Sequence, residues 1–158
     1  MNYWITTDTH FNHKKLIELG RPENFEELIK KNLKQTIKEG DYLIHLGDIC
    51  IGNDIENSNW FKNELGCKTI LCRGNHDSKS IEWYLNNGWD IVVDKFSFKL
   101  FGKNICFSHK PQGWDGCFDV NLHGHLHDCN HRFEEVNGHN RLIALEQTKY
   151  KPFNLKNI

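Results

Sequence analysis

The segment TTDTHFNH, residues 6–13, places an aspartate and two histidines directly after a hydrophobic start and ahead of any helix signal. Residues 3–7 are rich in aromatic and β-branched side chains, a composition typical of a strand. Asp8 and His10 therefore come where that strand ends. In an extended chain, side chains two positions apart point to the same side, so the carboxylate and the imidazole are predicted to converge. Such a pair forms a metal site only if further ligands lie elsewhere in the chain.

Four more polar clusters follow other predicted buried strands. They are Gly47-Asp48, Gly74-Asn75-His76-Asp77, His109 and His125-Leu126-His127. Each comes where an apolar run ends, and the carboxyl ends of strands form the ligand-binding edge of open α/β sheets. The glycines before Asp48, Asn75 and His125 are expected to let the backbone turn sharply, so that the next side chain points across this edge. A single cluster of this kind is more often a simple turn, but five together predict one ligand site.

The order of the predicted elements indicates an α/β fold. Helices are predicted over residues 23–39, 60–65 and 81–85, and strands after the first over residues 41–46, 68–72, 91–93, 96–101, 105–108, 119–122, 131–136 and 141–146. The early alternation of strands and helices favours parallel pairing, whereas the later strands are expected to form an antiparallel meander that ends in a hairpin. We therefore predict two mixed β-sheets packed as a central sandwich flanked by helices (α/β/β/α), in one domain spanning residues 1–158.

Composition excludes several classes of protein. The chain has 158 residues and a formal net charge of -1, so no overall positive field exists to hold long duplex nucleic acid. No apolar run approaches the length of a membrane span and no secretory leader is evident, so no membrane partner is expected. Six cysteines without a CxxC pair, half of them in or beside apolar runs, are typical of reduced thiols and predict a cytoplasmic protein. No pattern indicates an oligomeric state.

The donor atoms of the five clusters limit the kind of metal. They are carboxylate and amide oxygens mixed with imidazole nitrogens, and no thiolate is among them. This mixture favours divalent transition ions over a cysteine-rich structural zinc site or an all-oxygen calcium site. We predict two ions, with Mn²⁺ as the first candidate and Fe²⁺, Zn²⁺ or Ni²⁺ as alternatives.

The ordered series DTH, GD, GNHD, SH and GHLH resembles the calcineurin-like metallophosphoesterase superfamily. FSHKP around His109, the opening DTHFNH and the ending LIALEQTKYKPFNL further resemble its small branch from bacteria and phages. The ligand sets that the resemblance implies are Asp8, His10 and His127 for one ion and Asn75, His109 and His125 for the other, with Asp48 bridging the two. It also implies that His76 lies beside the scissile phosphate without binding a metal.

The chemistry expected of this set is hydrolysis of a phosphate ester, with a hydroxide that bridges the two ions as the nucleophile. His76 is the predicted general acid that protonates the leaving alkoxide. The expected substrate is a small phosphomonoester or phosphodiester, with nucleotides and cyclic nucleotides among the candidates. The alternatives are a metal-dependent nuclease or end-processing phosphatase acting on nucleic acid, and a non-catalytic scaffold of the same fold.

Arg73, Asn75, His76 and His13 are the predicted substrate contacts, and three of the residues near the clusters keep two interpretations. Asp77, grouped with the catalytic residues, could bond the His76 ring and favour its protonated form, or it could cap a helix from Ser78 onward. Arg73 could hold the phosphate through two N–H groups or form a structural ion pair. His13 could contact the substrate, or it could contact the metal ligands without binding a metal itself.

Other histidines and one exposed loop lie near the clusters in sequence. His45 is interpreted as a core residue, His123 as packing beside the ligands, and His131 and His139 as surface residues of the terminal hairpin. The loop over residues 112–115 is expected to border the cleft, where Trp114 could stack on a base or simply pack against the protein.

Overall fold

The structure, a computed structural model, describes residues 1–127 and 138–158. The strands of this part are β1 (Tyr3–Thr6), β2 (Tyr42–His45), β3 (Lys68–Cys72), β4 (Ile91–Val93), β5 (Lys95–Leu100), β6 (Lys103–Ser108), β7 (Val120–His123), β8 (Asn140–Leu142) and β9 (Phe153–Asn154). The helices are α1 (Lys15–Glu18), α2 (Phe25–Thr36), α3 (Asp54–Leu65) and α4 (Ile81–Asn86), and a 3₁₀ helix covers Leu155–Asn157.

The strands form two mixed sheets that pack face to face. In the first sheet the strand order is β4-β3-β2-β1-β9, and only β9 runs antiparallel to its neighbour. In the second sheet the order is β5-β6-β7-β8, and only β5 and β6 form an antiparallel pair. The predicted α/β class with two mixed sheets is confirmed.

The later strands do not form the predicted antiparallel meander, because β6, β7 and β8 are parallel. The connection between β6 and β7, residues 109–119, is long enough to return the chain to the starting end of the sheet. Residues 131–136, predicted as the first strand of a terminal hairpin, lie outside the described residues, as does His131. The strand predicted over residues 141–146 is shorter in the structure, since β8 ends at Leu142.

Both faces of the first sheet are buried, and alternate residues of its strands enter two separate apolar cores. Leu43 and Leu71 pack in the core that includes α2 and α3, whereas Ile44 and Ile70 pack against the second sheet. Strands buried on both faces are continuously apolar, which is why short apolar runs predicted these strands well.

Helix α2 is amphipathic, as its sequence predicts. Phe25, Ile29 and Leu33 recur every four residues and are buried against the first sheet. The helix is shorter than the predicted 23–39, because Ile37 already has an extended backbone.

Helix α3 begins six residues before the predicted start at Trp60. Its first turns bury Asn57 and Ser58 instead of apolar residues, so they carry no hydrophobic periodicity. The Asn57 amide donates to Asn12 Oδ1 at 2.6 Å, and Ser58 Oγ accepts from Trp89 Nε1 at 2.7 Å. Helix α1, a single turn, was not predicted. No helix within residues 1–127 or 138–158 is long and apolar enough to cross a bilayer.

Candidate metal centre

The loops that follow β1, β2, β3, β6 and β7 bring the seven predicted ligands to one end of the sandwich. The first group consists of Asp8, His10 and His127. Asp8 Oδ1 lies 3.6 Å from Nε2 of His10 and 3.6 Å from Nε2 of His127, and the two imidazoles stack with centroids 5.0 Å apart. One donor atom from each residue falls within 4.8 Å of the others, a spacing that could hold a metal ion.

A second group lies around His109. Its Nε2 is 3.0 Å from Asn75 Oδ1, 3.1 Å from His125 Nδ1 and 3.3 Å from Asp48 Oδ2. The other ring nitrogen, Nδ1, lies 2.8 Å from the carbonyl oxygen of Leu46, which fixes the orientation of the ring. These donors match the set predicted for the second ion.

Asp48 lies between the two groups. Its Oδ2 is 3.6 Å from His10 Nε2 and 3.3 Å from His109 Nε2, so a single carboxylate faces both groups. A carboxylate in this position can screen two cations at once, which is the arrangement of two-metal sites.

The unpaired atoms of the first ligand group fit a cation. Asp8 Oδ1 and His10 Nε2 are buried and have no hydrogen-bond partner among the described residues. Buried polar atoms without a partner are costly, and a cation would satisfy both. Burial alone would raise the pKa of Asp8, but the adjacent His10 imidazole and the charges of His109 and His127 hold it well below its usual range. The carboxylate is therefore ionised and ready to bind.

The backbone at most of the candidate ligands is not extended. The prediction that side chains two positions apart in an extended chain make Asp8 and His10 converge is therefore wrong in its reason. A positive φ occurs at five of the seven: Asp8 (50°), His10 (46°), Asp48 (60°), His125 (70°) and His127 (48°). Residues other than glycine rarely adopt this left-handed conformation, and where it occurs it tends to cluster at functional sites. Tight left-handed turns, not strand alternation, aim these side chains at one volume.

Two of the three glycines also act differently from the prediction. Gly47 has φ +95° and turns the chain as expected, but neither Gly74 nor Gly124 has a left-handed φ. A Cβ atom at Gly74 would collide with the carboxylate of Asp48, and one at Gly124 would collide with Thr7 and Asp8. These two glycines allow a close approach between loops.

Asp77 takes neither of the two predicted roles. Its carboxylate accepts hydrogen bonds from the backbone N–H groups of Asp48, Ile49 and Gly74, at 2.8, 3.0 and 2.7 Å. Helix α4 is capped by Ser80, whose Oγ accepts from Trp83 N. Asp77 thus joins the loop after β2 to the loop after β3.

Arg73 forms an ion pair in the structure. Its Nε and Nη2 donate to Asp94 Oδ1 at 3.0 and 2.6 Å, and Nη1 donates to the Lys79 carbonyl oxygen at 3.2 Å. The guanidinium is therefore held beside the loop that carries Asn75 and His76. This arrangement matches the structural alternative stated from the sequence.

His76 and His13 lie on the open side of the centre. The His76 side chain is 42% exposed, with Nε2 3.9 Å from Asp48 Oδ2. Its ring centroid is 5.3 Å from that of His10 and 6.3 Å from that of His13. Burial, together with the neighbouring His10 and His76, lowers the pKa of His13. His13 thus lies beside the first ligand group, whereas His76 also brings a donor atom within 4.8 Å of donors of His10 and Asp48, a spacing that could hold a metal ion.

His45 and His123, two described histidines outside the ligand groups, serve packing. His45 is fully buried with Nε2 3.0 Å from Thr9 Oγ1, and burial lowers its pKa to about 3, so the ring is neutral. His123 is buried beside the ligands and contacts the Gly124 carbonyl oxygen at 2.9 Å. Trp114 is 53% exposed and stacks on His139 with centroids 4.7 Å apart.

Two charged residues beside the first group were not singled out from the sequence. Arg21 Nε donates to Glu146 Oε1 at 2.7 Å, although the residues are 125 positions apart. Burial would raise the pKa of Glu146, but the neighbouring His127 ring and the charge of Arg21 lower it to about 2. No local pattern around either residue indicates this pairing.

A cavity of about 290 Å³ adjoins the second group. Asn75 and His109 form part of its wall, together with Arg73, Lys110 and Gln112. Asp94, the ion-pair partner of Arg73, lines it as well, so Lys110 is the cationic side chain without that pairing in a space that opens beside the candidate ligands.

Comparisons with known proteins bear on the family and the fold of the chain. The chain is 28% identical to an uncharacterized protein, MJ1445, of Methanocaldococcus jannaschii, over 96% of this chain and 86% of that one. The structure of this chain is similar to that of a protein of unknown function, AQ665, from Aquifex aeolicus. The TM-score is 0.79, and the identity is 27% over 99% of this chain and 96% of that one. It also shares its fold with an archaeal phosphodiesterase, at a TM-score of 0.55 and 20% identity over 98% and 99% of the chains.

The family model for calcineurin-like phosphoesterases matches residues 1–156, which includes every ligand of the two groups. Since that match spans nearly the whole sequence, the chain belongs to the calcineurin-like phosphoesterase family.

Proposed function

We propose that this chain hydrolyses small phosphate esters at a centre of two divalent ions. The observation that carries the proposal is the position of Asp48, whose Oδ2 faces His10 of one ligand group and His109 of the other. Mn²⁺ is the proposed metal, with Fe²⁺, Zn²⁺ or Ni²⁺ as alternatives, because imidazoles and hard oxygens suit all four. When bound, such ions polarise phosphoryl oxygens and make a water molecule acidic enough to attack phosphorus at neutral pH.

His76 is the proposed general acid. It projects from the loop after β3, is partly exposed, and lies beside Asp48, so it can reach the leaving oxygen of an ester that approaches from solvent. A positioned imidazole that donates a proton to the leaving group typically contributes 10²–10⁴-fold to the rate. His13, on the same open side, is proposed to contact the substrate together with Asn75.

Arg73 and Asp77 are proposed to support the reaction by holding the loop that carries His76. Arg73 ties this loop to Asp94 through its guanidinium, and Asp77 ties it to the loop of Asp48. Arg73 also lines the cavity of about 290 Å³ next to the second group, where an anionic substrate would share its guanidinium with Asp94.

The substrate class follows from the size and charge of this cavity. A space of about 290 Å³ lined by Arg73 and Lys110 suits a small anionic ester such as a nucleotide or cyclic nucleotide. With a formal net charge of -1, the chain is not proposed to bind long duplex nucleic acid. A cytoplasmic location remains a proposal from the cysteines, five of which are free thiols in the described residues.

The test is a substrate panel on the purified chain loaded separately with Mn²⁺, Fe²⁺, Ni²⁺ or Zn²⁺. Aryl phosphomonoesters, aryl phosphodiesters, and 2′,3′- and 3′,5′-cyclic nucleotides are compared at matched metal occupancy. Turnover of at least one class with two ions per chain is the expected result.

Absence of turnover on every substrate, with two ions bound, would contradict the proposal and favour a non-catalytic scaffold. Turnover confined to oligonucleotides would favour a nuclease or an end-processing phosphatase instead. In that case binding should weaken steeply with salt, whereas a small ester should show only a shallow salt dependence.

A further inference from the structure

We propose that Glu146, held by Arg21, is a positioning residue that selects the metal-binding tautomer of His127. The inference rests on the proposed two-metal function, because it concerns one ligand of the first ion. Neither Arg21 nor Glu146 belongs to one of the five polar clusters, although Glu146 lies in the segment LIALEQTKYKPFNL. Both contact His127 on the side opposite Asp8.

The two nitrogens of the His127 ring face different partners. Nε2 lies 3.6 Å from Asp8 Oδ1, inside the first ligand group. Nδ1 lies 3.7 Å from Glu146 Oε1 and 3.3 Å from Arg21 Nη2. A neutral histidine that binds a metal through Nε2 carries its proton on Nδ1, and this proton needs an acceptor.

Within residues 1–127 and 138–158, Nδ1 has these two polar neighbours, and of the two only Glu146 can accept that proton. The guanidinium of Arg21 has N–H donors and no acceptor, so on its own it would favour a bare Nδ1 and a proton on Nε2. That tautomer has no lone pair to offer an ion beside Asp8. The carboxylate of Glu146 therefore decides which nitrogen of His127 is free to bind.

Arg21 fixes the carboxylate in place. Its side chain is almost fully buried, and Nε donates to Glu146 Oε1 at 2.7 Å while the guanidinium lies 5.2 Å from the Phe25 ring centroid. Nη1 also lies 3.4 Å from the carbonyl oxygen of Thr9. Because Thr9 stands between Asp8 and His10, one guanidinium contacts both loops of the first ligand group.

The free energy needed to bury the Arg21–Glu146 ion pair supports a role beyond packing. Glu146 Oε2 is buried and has no hydrogen-bond partner among the described residues. A buried ion pair contributes little net stability, since desolvation offsets much of the attraction. An apolar pair of similar volume would fill the same space without leaving an oxygen unpaired.

The experiment is a titration of the metal-free, full-length chain with Mn²⁺ by calorimetry, for wild type, E146A and E146Q. Removing such an outer partner of a metal-binding histidine typically costs 10–100-fold in metal affinity. We expect about 100-fold weaker binding of one ion in E146A and about 10-fold in E146Q, whose amide oxygen is a weaker acceptor. The second ion should bind within about 3-fold of wild type, because Glu146 does not contact the His109 group.

Glu64 provides the matched controls E64A and E64Q. It is 42% exposed and pairs with Lys34 at 2.6 Å on the surface, so the same substitutions there should leave both binding events unchanged. Variants that are folded and bind both ions as tightly as wild type would overturn the inference. An equal loss of affinity for both ions in a folded variant would also overturn the inference, since that result indicates general damage to the site.

A second measurement needs no variant. In the wild-type chain loaded with Zn²⁺, ¹H–¹⁵N correlation spectra of the imidazoles should show a proton on Nδ1 of His127. A bare Nδ1 in the loaded protein would overturn the inference. A wild-type chain that binds no ion at all would overturn the proposed function as well, so the two failures are distinguishable.

Discussion

The carboxylate of Asp77 accepts a hydrogen bond from the backbone N–H of Asp48, with 2.8 Å between Oδ2 and N. The same carboxylate accepts from Gly74 and Ile49, so it fastens the loop after β2 to the loop after β3. Burial raises the pKa of Asp77, and the three backbone hydrogen bonds only partly compensate. The position of the proposed bridging ligand thus depends on a residue that does not itself face either ion.

Replacing Asp77 with Asn tests this dependence. The amide NH₂ would face backbone donors, so D77N should lose about 2–3 kcal/mol of unfolding free energy in the metal-free chain. Mn²⁺ affinity should also fall, because Asp48 is no longer held. Urea denaturation and calorimetry measure the two effects.

D77N also separates the structural role from the one considered from the sequence. The Asp77 carboxylate bonds to the backbone N–H groups of Asp48, Ile49 and Gly74 and not to the His76 ring, so the ratio of rates on poor and good leaving groups should stay at the wild-type value. A selective loss on poor leaving groups would instead support an Asp77–His76 pair.

Asp48→Asn should abolish hydrolysis and lower the metal content below two ions per chain. The physical reason is that both ligand groups share this carboxylate, and Asn supplies no negative charge to screen two cations. Elemental analysis of the purified variant and an aryl phosphate assay measure the outcome. Full activity with two ions bound would refute the bridge.

His76→Ala should slow the hydrolysis of esters with poor leaving groups by about 10²–10⁴-fold. The hydrolysis of esters whose leaving group needs no proton should keep its wild-type rate. Alkyl and p-nitrophenyl phosphates provide the two cases, measured at equal metal occupancy. His139→Ala is the matched control, since His139 stacks on Trp114 and belongs to neither ligand group. Equal losses on both substrates would rule out the general-acid role of His76.

Gly74→Ala should weaken Mn²⁺ binding and destabilise the chain by about 1–3 kcal/mol, because the added Cβ would collide with the Asp48 carboxylate. Gly113→Ala is the control, as its Cβ would meet nothing within 4 Å and its φ is not left-handed. Thermal melts and metal titrations compare the two. If both variants behave alike, close approach at Gly74 is not what places Asp48.

Asp41→Asn should destabilise the chain in a pH-dependent manner. Asp41 is buried and accepts hydrogen bonds from Trp4 Nε1 at 2.9 Å and from the backbone of Asn2 at 2.8 Å. Burial would raise its pKa, but the bonds from Trp4, Asn2 and Lys38 outweigh burial and lower it. The ionised form therefore stabilises the folded chain, by about 1–3 kcal/mol at neutral pH.

The pH window follows from the direction of this shift. The contribution is complete above the unfolded-state pKa of about 3.9 and is lost as pH falls through the lower folded-state pKa. The difference in unfolding free energy between wild type and D41N should thus be largest near pH 7 and shrink below about pH 4. Urea denaturation in chelator measures it, and a difference that stays constant down to pH 3 would contradict the assignment.

The sequence by itself determined which side chains form the two ligand groups and at which strand ends they lie. Continuous apolar runs located the central strands, as β2 and β3 show, because strands buried on both faces need no alternation. The carboxyl ends of parallel strands share one edge, so the order of the motifs was enough to bring the ligands together.

Only the tertiary structure decided how the site is supported. The backbone bonds of Asp77, the pairing of Arg21 with Glu146 and the parallel run of β6, β7 and β8 all join segments without a shared local pattern. The buried polar start of α3 escaped detection for the same reason, since Asn57 finds its partner on another loop. Local periodicity reports which face of an element is apolar, whereas hydrogen bonds between distant loops depend on how the elements pack.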